Sequence, residues 1–215
     1  MASFVKKISQ RLKWCAKRGP PIPSFILSIV GSSAVGYSLL FAVSLGLAYW
    51  QGRLDEISQF PGWPRFGGNL LVGVLLATAV LCAGWALRGT FRWARELGQE
   101  FRIILAPLTL GGALVLAVAS GIAEETFFRG VMQPVFGLWE TSLAFGLLHY
   151  PMNRRLIPWT IMAIIMGFAF GLVYQTTDSL FAVALAHGLI NFVELADIAR
   201  GEPDANQERG GTCPS

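Results

Sequence analysis

Apolar positions along this chain gather into long runs instead of alternating, and six of them stand out: 24–50, 69–87, 103–122, 143–150, 158–174 and 179–199. Most are near the length of about 20 residues that an α-helix needs to cross a hydrocarbon core about 30 Å thick. The 143–150 run is shorter and predicts a short helix, and Pro107 with Gly111-Gly112 loosens the 103–122 run. Between the runs lie polar punctuation and charge. Residues 51–67 carry Pro61, Gly62, Pro64 and the Gly67-Gly68 pair, which predicts a loop. Residues 88–102 are rich in arginine and predict a loop lying along the membrane surface. At the start, Phe4, Val5, Ile8, Leu12 and Cys15 fall at helical spacing with lysines and arginines between them, a basic amphipathic lead that Pro20, Pro21 and Pro23 end. From 201 onward the chain is polar and rich in Gly and Pro, which predicts a flexible tail.

The fold class that follows is all-α: a polytopic transmembrane helical bundle of about six helices. Its organisation is an amphipathic segment over 1–22, one transmembrane domain over 23–200, and the tail over 201–215. Alternating ten-residue segments of the kind a transmembrane β-barrel needs are absent from the pattern.

Composition agrees: 53% of the 215 residues are hydrophobic and 14% charged, against about 25% charged in soluble domains. The net charge of +4 would suit nucleic acid, but its distribution does not. Lys6, Lys7, Arg11, Lys13, Lys17 and Arg18 crowd the first segment; Arg88, Arg92, Arg95 and Arg102 crowd one connection, and Arg154 and Arg155 another. That is a pattern of anchors facing anionic lipid, with the N-terminus on the cytoplasmic side of a membrane, and not of nucleic-acid binding. Cys15, Cys82 and Cys213 are scattered, which excludes a CxxC pair, and Cys82 reads as a small core residue in mid-span.

Charge inside the apolar runs is costly, about 2.5–3.5 kcal/mol per group on insertion scales, and tends to mark function. The stretch Gly121-Ile122-Ala123-Glu124-Glu125-Thr126-Phe127-Phe128-Arg129-Gly130 holds two carboxylates and a guanidinium. In a helix Glu125 and Arg129 are four residues apart on one face, with the acid first, the favourable order. Glu124, about 100° round the helix, has no local partner and is a candidate base. Taken alone, the same residues equally describe a buried ion pair that only locks two helices. The chain's two histidines fall in apolar runs, in Phe145-Gly146-Leu147-Leu148-His149 and His187-Gly188-Leu189-Ile190-Asn191. His187 and Asn191 share a helix face and could both donate to one oxygen. Glu194, seven residues beyond His187, is either an orienting partner or a solvated helix-end residue. Gly121, Gly130, Gly146, Gly167, Gly171 and Gly188 are most simply packing glycines. Straight spans would leave Glu124 and His149 about 30 Å apart, so a shared site requires tilted, long or broken helices.

Glu-Glu-x-x-x-Arg, Phe-x-x-x-His and His-x-x-x-Asn, in this order within residues 115–195, resemble the CAAX protease and bacteriocin-processing (Abi) family. These are intramembrane glutamic endopeptidases that include the type II CAAX prenyl endopeptidases. The resemblance implies a chamber within the membrane surrounded by broken or tilted helices. It implies an enzyme in which Glu124 and His149 activate water and His187 and Asn191 stabilise the oxyanion. Glu125, Arg129 and Phe145 would position the site, with no cofactor and no metal. The expected partners are a membrane-associated protein or peptide substrate and anionic lipid at the basic N-terminus, and the expected location is the bacterial cytoplasmic membrane.

Other readings stay open at this level. Two histidines and a glutamate are a conceivable zinc set, though HExxH is missing. A rhomboid GxSG would need glycine where Val118 stands. A scaffold or immunity-type protein could keep the fold without the chemistry, and an intramembrane carboxylate also suits a proton-coupled transporter.

Overall fold

The computed structural model describes residues 22–58, 62–105, 108–150 and 154–201. The basic lead and nearly all of the polar tail lie outside these residues. In chain order the helices are α1 (Ile22–Trp50), α2 (Leu54–Ser58), α3 (Trp63–Thr90), α4 (Arg92–Leu105), α5 (Leu110–Glu125), a π-helical segment (Thr126–Met132), α6 (Gln133–Leu148), a 3₁₀ turn (Arg154–Leu156), α7 (Ile157–Thr177) and α8 (Leu180–Arg200). Among the described residues, five stretches are long and apolar enough to cross a membrane: Ile29–Trp50, Pro64–Thr90, Leu110–Leu148, Ile157–Thr177 and Leu180–Arg200. The protein is an all-α polytopic membrane bundle. Its outer faces present Val35, Leu39 and Val43 of α1, Leu71 and Leu75 of α3, and Ile161 and Ile165 of α7 to the lipid. Cys82 belongs to this exposed surface and not to the core.

Leu110–Leu148 is 39 residues of helix. Straight, it would extend about 58 Å, nearly twice the hydrocarbon thickness. It doubles back instead. Gly137 has φ 88° and ψ 175° inside α6, a backbone conformation that is essentially glycine's alone. It lies thirteen residues after Glu124 and twelve before His149, and nine after Phe128 and eight before Phe145. Accordingly Phe128 and Phe145 meet with ring centroids 4.9 Å apart, and His149 returns to the level of Glu124. The expected helix over 143–150 is thus the end of a longer returning arm.

α5 packs chiefly on α8, α6 on α7, α3 on α8 and α1 on α5. At Gly121 a Cβ would sit 2.9 Å from both Ala184 O and Gly188 N, so the α5–α8 approach requires glycine there. The arginine-rich stretch 88–102 is not a loop. Its greater part is the amphipathic helix α4, which buries Ala94 and Leu97 and packs Phe101 edge-on against Trp159 at the start of α7 (5.0 Å). Its arginines are engaged within the protein. Arg88 pairs with Glu194 (2.9 Å), Arg92 with Glu96 (2.7 Å) and Arg102 with Asp197 (2.7 Å), while Arg95 donates to Arg88 O (2.9 Å). Glu194 therefore serves α3, not His187. These contacts gather α4, the start of α7 and the end of α8 at one end of the bundle.

Gly137→Ala should lower the stability of the detergent-solubilised protein by about 1–3 kcal/mol. Gly98→Ala, inside α4 with open space around it, should raise it by up to about 1 kcal/mol. Reversible unfolding of the two variants beside wild type checks both signs.

Candidate active site

The π-helical segment begins directly after Glu125. Such widening is often found at functional sites. Here Thr126 eases the transition by donating its hydroxyl to Ile122 O (2.7 Å). Beyond it, Arg129 donates to Gly167 O (2.9 Å) and Gln133 to Gly171 O (2.9 Å), two carbonyls one turn apart on α7. These bonds clamp the segment against α7 and fix which way its side chains face.

Glu125 and Arg129 are both fully buried and pair at 3.1 Å. The guanidinium lies over the ring of Phe145 at 4.7 Å from its centroid, with Phe170 at 5.5 Å and Phe128 at 5.8 Å. Three ring faces thus supply the negative potential that water would otherwise provide. The Glu125 carboxylate also accepts from His187, with Nδ1 2.7 Å from Oε1. Glu125 therefore has two partners, and the His187 ring, stacked on Phe170 (5.2 Å, 22°), is held from both sides.

Glu124 points the other way, as its position round the helix requires. Its Oε2 lies 3.5 Å from His149 Nε2 and 4.0 Å from His187 Nε2. His149 is oriented by Phe145 O, 2.6 Å from its Nδ1, and is flanked by the Phe145 and Trp159 rings. Phe145 therefore serves two groups in three ways: it covers Arg129, lines His149 with its ring and fixes His149 with its carbonyl. Asn191, one turn beyond His187, donates to Ser120 Oγ (2.9 Å), and Ser120 in turn donates to Ala117 O (3.3 Å).

The fold thus brings together Glu124, Glu125, Arg129, Phe145, His149 and His187, with Asn191 at the edge. Two further residues belong to the constellation. Tyr37 of α1 faces the Glu124 carboxylate, and Ser120 holds Asn191. Neither carries a sequence signal: each is a lone hydroxyl in an apolar helix. Among the described residues, no group of three or more His, Cys, Asp or Glu is spaced to hold a metal ion.

Residues 106–193 match the family described as type II CAAX prenyl endopeptidase, Rce1-like. The chain is also similar to a Bacillus subtilis (strain 168) protein described as "Uncharacterized protein YpbD", at 34% identity over 124 residues. That alignment covers 56% of this chain and 64% of the relative, so the chain spans less than two thirds of the relative's length. No solved structure matches the chain. The stretch that matches the type II CAAX prenyl endopeptidase, Rce1-like, family, residues 106–193, is the one that supplies both acids, Arg129, Phe145, both histidines and Asn191.

Proposed function

We propose that the protein is an intramembrane endopeptidase that hydrolyses a membrane-associated protein or peptide with a water activated by Glu124 and His149. The observation that carries this reading is the convergence of both imidazole Nε2 atoms on one buried glutamate oxygen, at 3.5 and 4.0 Å. In an otherwise apolar bundle a base so placed can act on a water near the scissile bond.

In the first step the water oxygen bonds to the carbonyl carbon while one of its protons passes to the Glu124 carboxylate. The carbonyl electron pair moves onto oxygen, where N–H groups of His187 and Asn191 receive it. Collapse restores the carbonyl and breaks the C–N bond, and the proton held by Glu124 goes to the departing nitrogen. The products are a free amine and a carboxylic acid. Glu125, Arg129 and Phe145 do not touch the reacting atoms in this scheme; they position His187 and His149.

The match to prenyl endopeptidases makes a prenylated C-terminal peptide the first substrate to try. The basic N-terminus and the arginine-rich end of the bundle support a cytoplasmic N-terminus on anionic lipid. Resemblance to a Bacillus protein supports a bacterial cytoplasmic membrane as the setting.

In proteoliposomes containing a tagged, farnesylated peptide, wild type should release a product of defined mass. Glu124→Ala and His149→Ala should each slow release by about 10²–10⁴-fold, and a wild-type rate no higher than that of Glu124→Ala on this and unprenylated membrane peptides would sink the proposal. Asn191→Ala should reduce kcat by about 10²–10³-fold, the scale of losing one oxyanion donor; an effect confined to KM would remove Asn191 from that role. A metal chelator should leave the wild-type rate unchanged, whereas loss restored by added zinc would replace the glutamate–water scheme with a metal one.

A further inference from the structure

The hydrogen bonds on the far side of each imidazole assign its tautomer. Phe145 O can only accept, so His149 Nδ1, 2.6 Å away, carries a proton. Glu125 Oε1 belongs to a carboxylate held by Arg129, so His187 Nδ1, 2.7 Å away, carries one too. With both Nδ1 protons in place, a neutral ring has a bare lone pair at Nε2. Both Nε2 atoms nevertheless face Glu124 Oε2, itself an acceptor, buried and without a hydrogen-bond partner. Three lone pairs therefore converge with no donor among them.

Charge points the same way. Arg129 contributes one positive charge and Glu124 and Glu125 one negative charge each, which leaves the cluster at −1 where its carboxylates are almost wholly buried. The other groups around it carry no compensating charge. Tyr37 faces Glu124 from α1, Gly167 of α7 offers only its carbonyl, and Ser120 and Asn191 are neutral. An uncompensated charge in such surroundings is strongly disfavoured, and one added proton removes it. Imidazole takes that proton in preference to a carboxylate, being the stronger base in water by about two pKa units.

We propose that the resting site retains a single proton on its two Nε2 atoms, so that His149 and His187 together form one imidazolium paired with the Glu124 carboxylate. Its catalytic meaning rests on the endopeptidase reading. With Nδ1–H spent on Glu125, His187 offers an N–H to an oxyanion only while it holds this shared proton. In that same state Glu124 and His149 are both free to accept from water. Glu125 is then a positioning residue whose task is to fix the His187 tautomer.

The chain has only two histidines, so ring-¹⁵N labelling of the full-length protein in lipid nanodiscs gives four resolvable nitrogens. At neutral pH both Nδ1 atoms should be protonated, and the two Nε2 atoms should sum to one proton, as one cationic ring or as two rings in exchange. Glu124→Gln removes the negative charge that retains the proton and should leave two neutral Nδ1–H rings. His187→Gln keeps the charge balance and should leave His149 a full imidazolium, which tests the idea even where Glu124→Gln does not fold. Two neutral rings in wild type, two cationic rings, an Nε2–H ring with bare Nδ1, or a spectrum that changes on chelation would each overturn the proposal. The readout needs no turnover. An active protease with two neutral rings rejects only the shared proton, and one imidazolium in a protein that cleaves nothing rejects only the protease.

Discussion

The fully buried Glu125–Arg129 ion pair constrains everything near it. Ions taken out of water must be satisfied almost completely, and removing one partner of such a pair typically costs about 3–5 kcal/mol. Arg129 meets most of this demand with Glu125, with Gly167 O and with three aromatic faces, its Nε alone of the three nitrogens lacking a hydrogen-bond partner. Each of these comes from a fixed place: the preceding helical turn, α7, or the aromatic pack. Once the guanidinium is seated, the rotation of the π-helical segment is set, and so is the direction in which Glu124 leaves the helix.

The aromatic pack is what allows a charged cluster to sit among lipid-facing helices. Phe128, Phe145 and Phe170 are each nearly fully buried. Together they exclude water from the arginine while their ring faces replace part of its hydration. Phe170 also stacks on His187, and Phe145 lies beside both histidines. The same rings thus hold the cation in place and hold the imidazoles against it, so the packing and the electrostatics of the site are not separable.

Local spacing made part of this legible in the sequence. Glu125 and Arg129 are a helical pair at four residues, and they remain paired at 3.1 Å although the intervening backbone is π-helical. The helix α4 also has a readable pattern in Ala94, Leu97 and Phe101, but the density of arginine masked it as a loop. What periodicity could not supply was the reversal at Gly137, because the residues on either side are apolar and helical in both arms. Tyr37 and Ser120 were equally hidden. A single hydroxyl in an apolar run has no pattern of its own, and its partners, Glu124 and Asn191, lie 87 and 71 residues away in the chain. That the two acids leave the helix in different directions and meet different partners was readable from their angular offset. The common level reached by Glu124 and His149 was not, since it depends on where the helix folds back.

The folded-back segment also sets an order of assembly. Ser120, both acids, Arg129, Phe145 and His149 lie within thirty consecutive residues, from 120 to 149, so the hairpin can bring them near one another through contacts of short sequence separation. His187 and Asn191 belong to α8 (Leu180–Arg200), the last helix among the described residues. During synthesis the acids and the first histidine are therefore present before the second histidine exists. The polar constellation closes only when the final helix docks against α5, and a chain interrupted before residue 187 carries half of a site with no second imidazole to complete it.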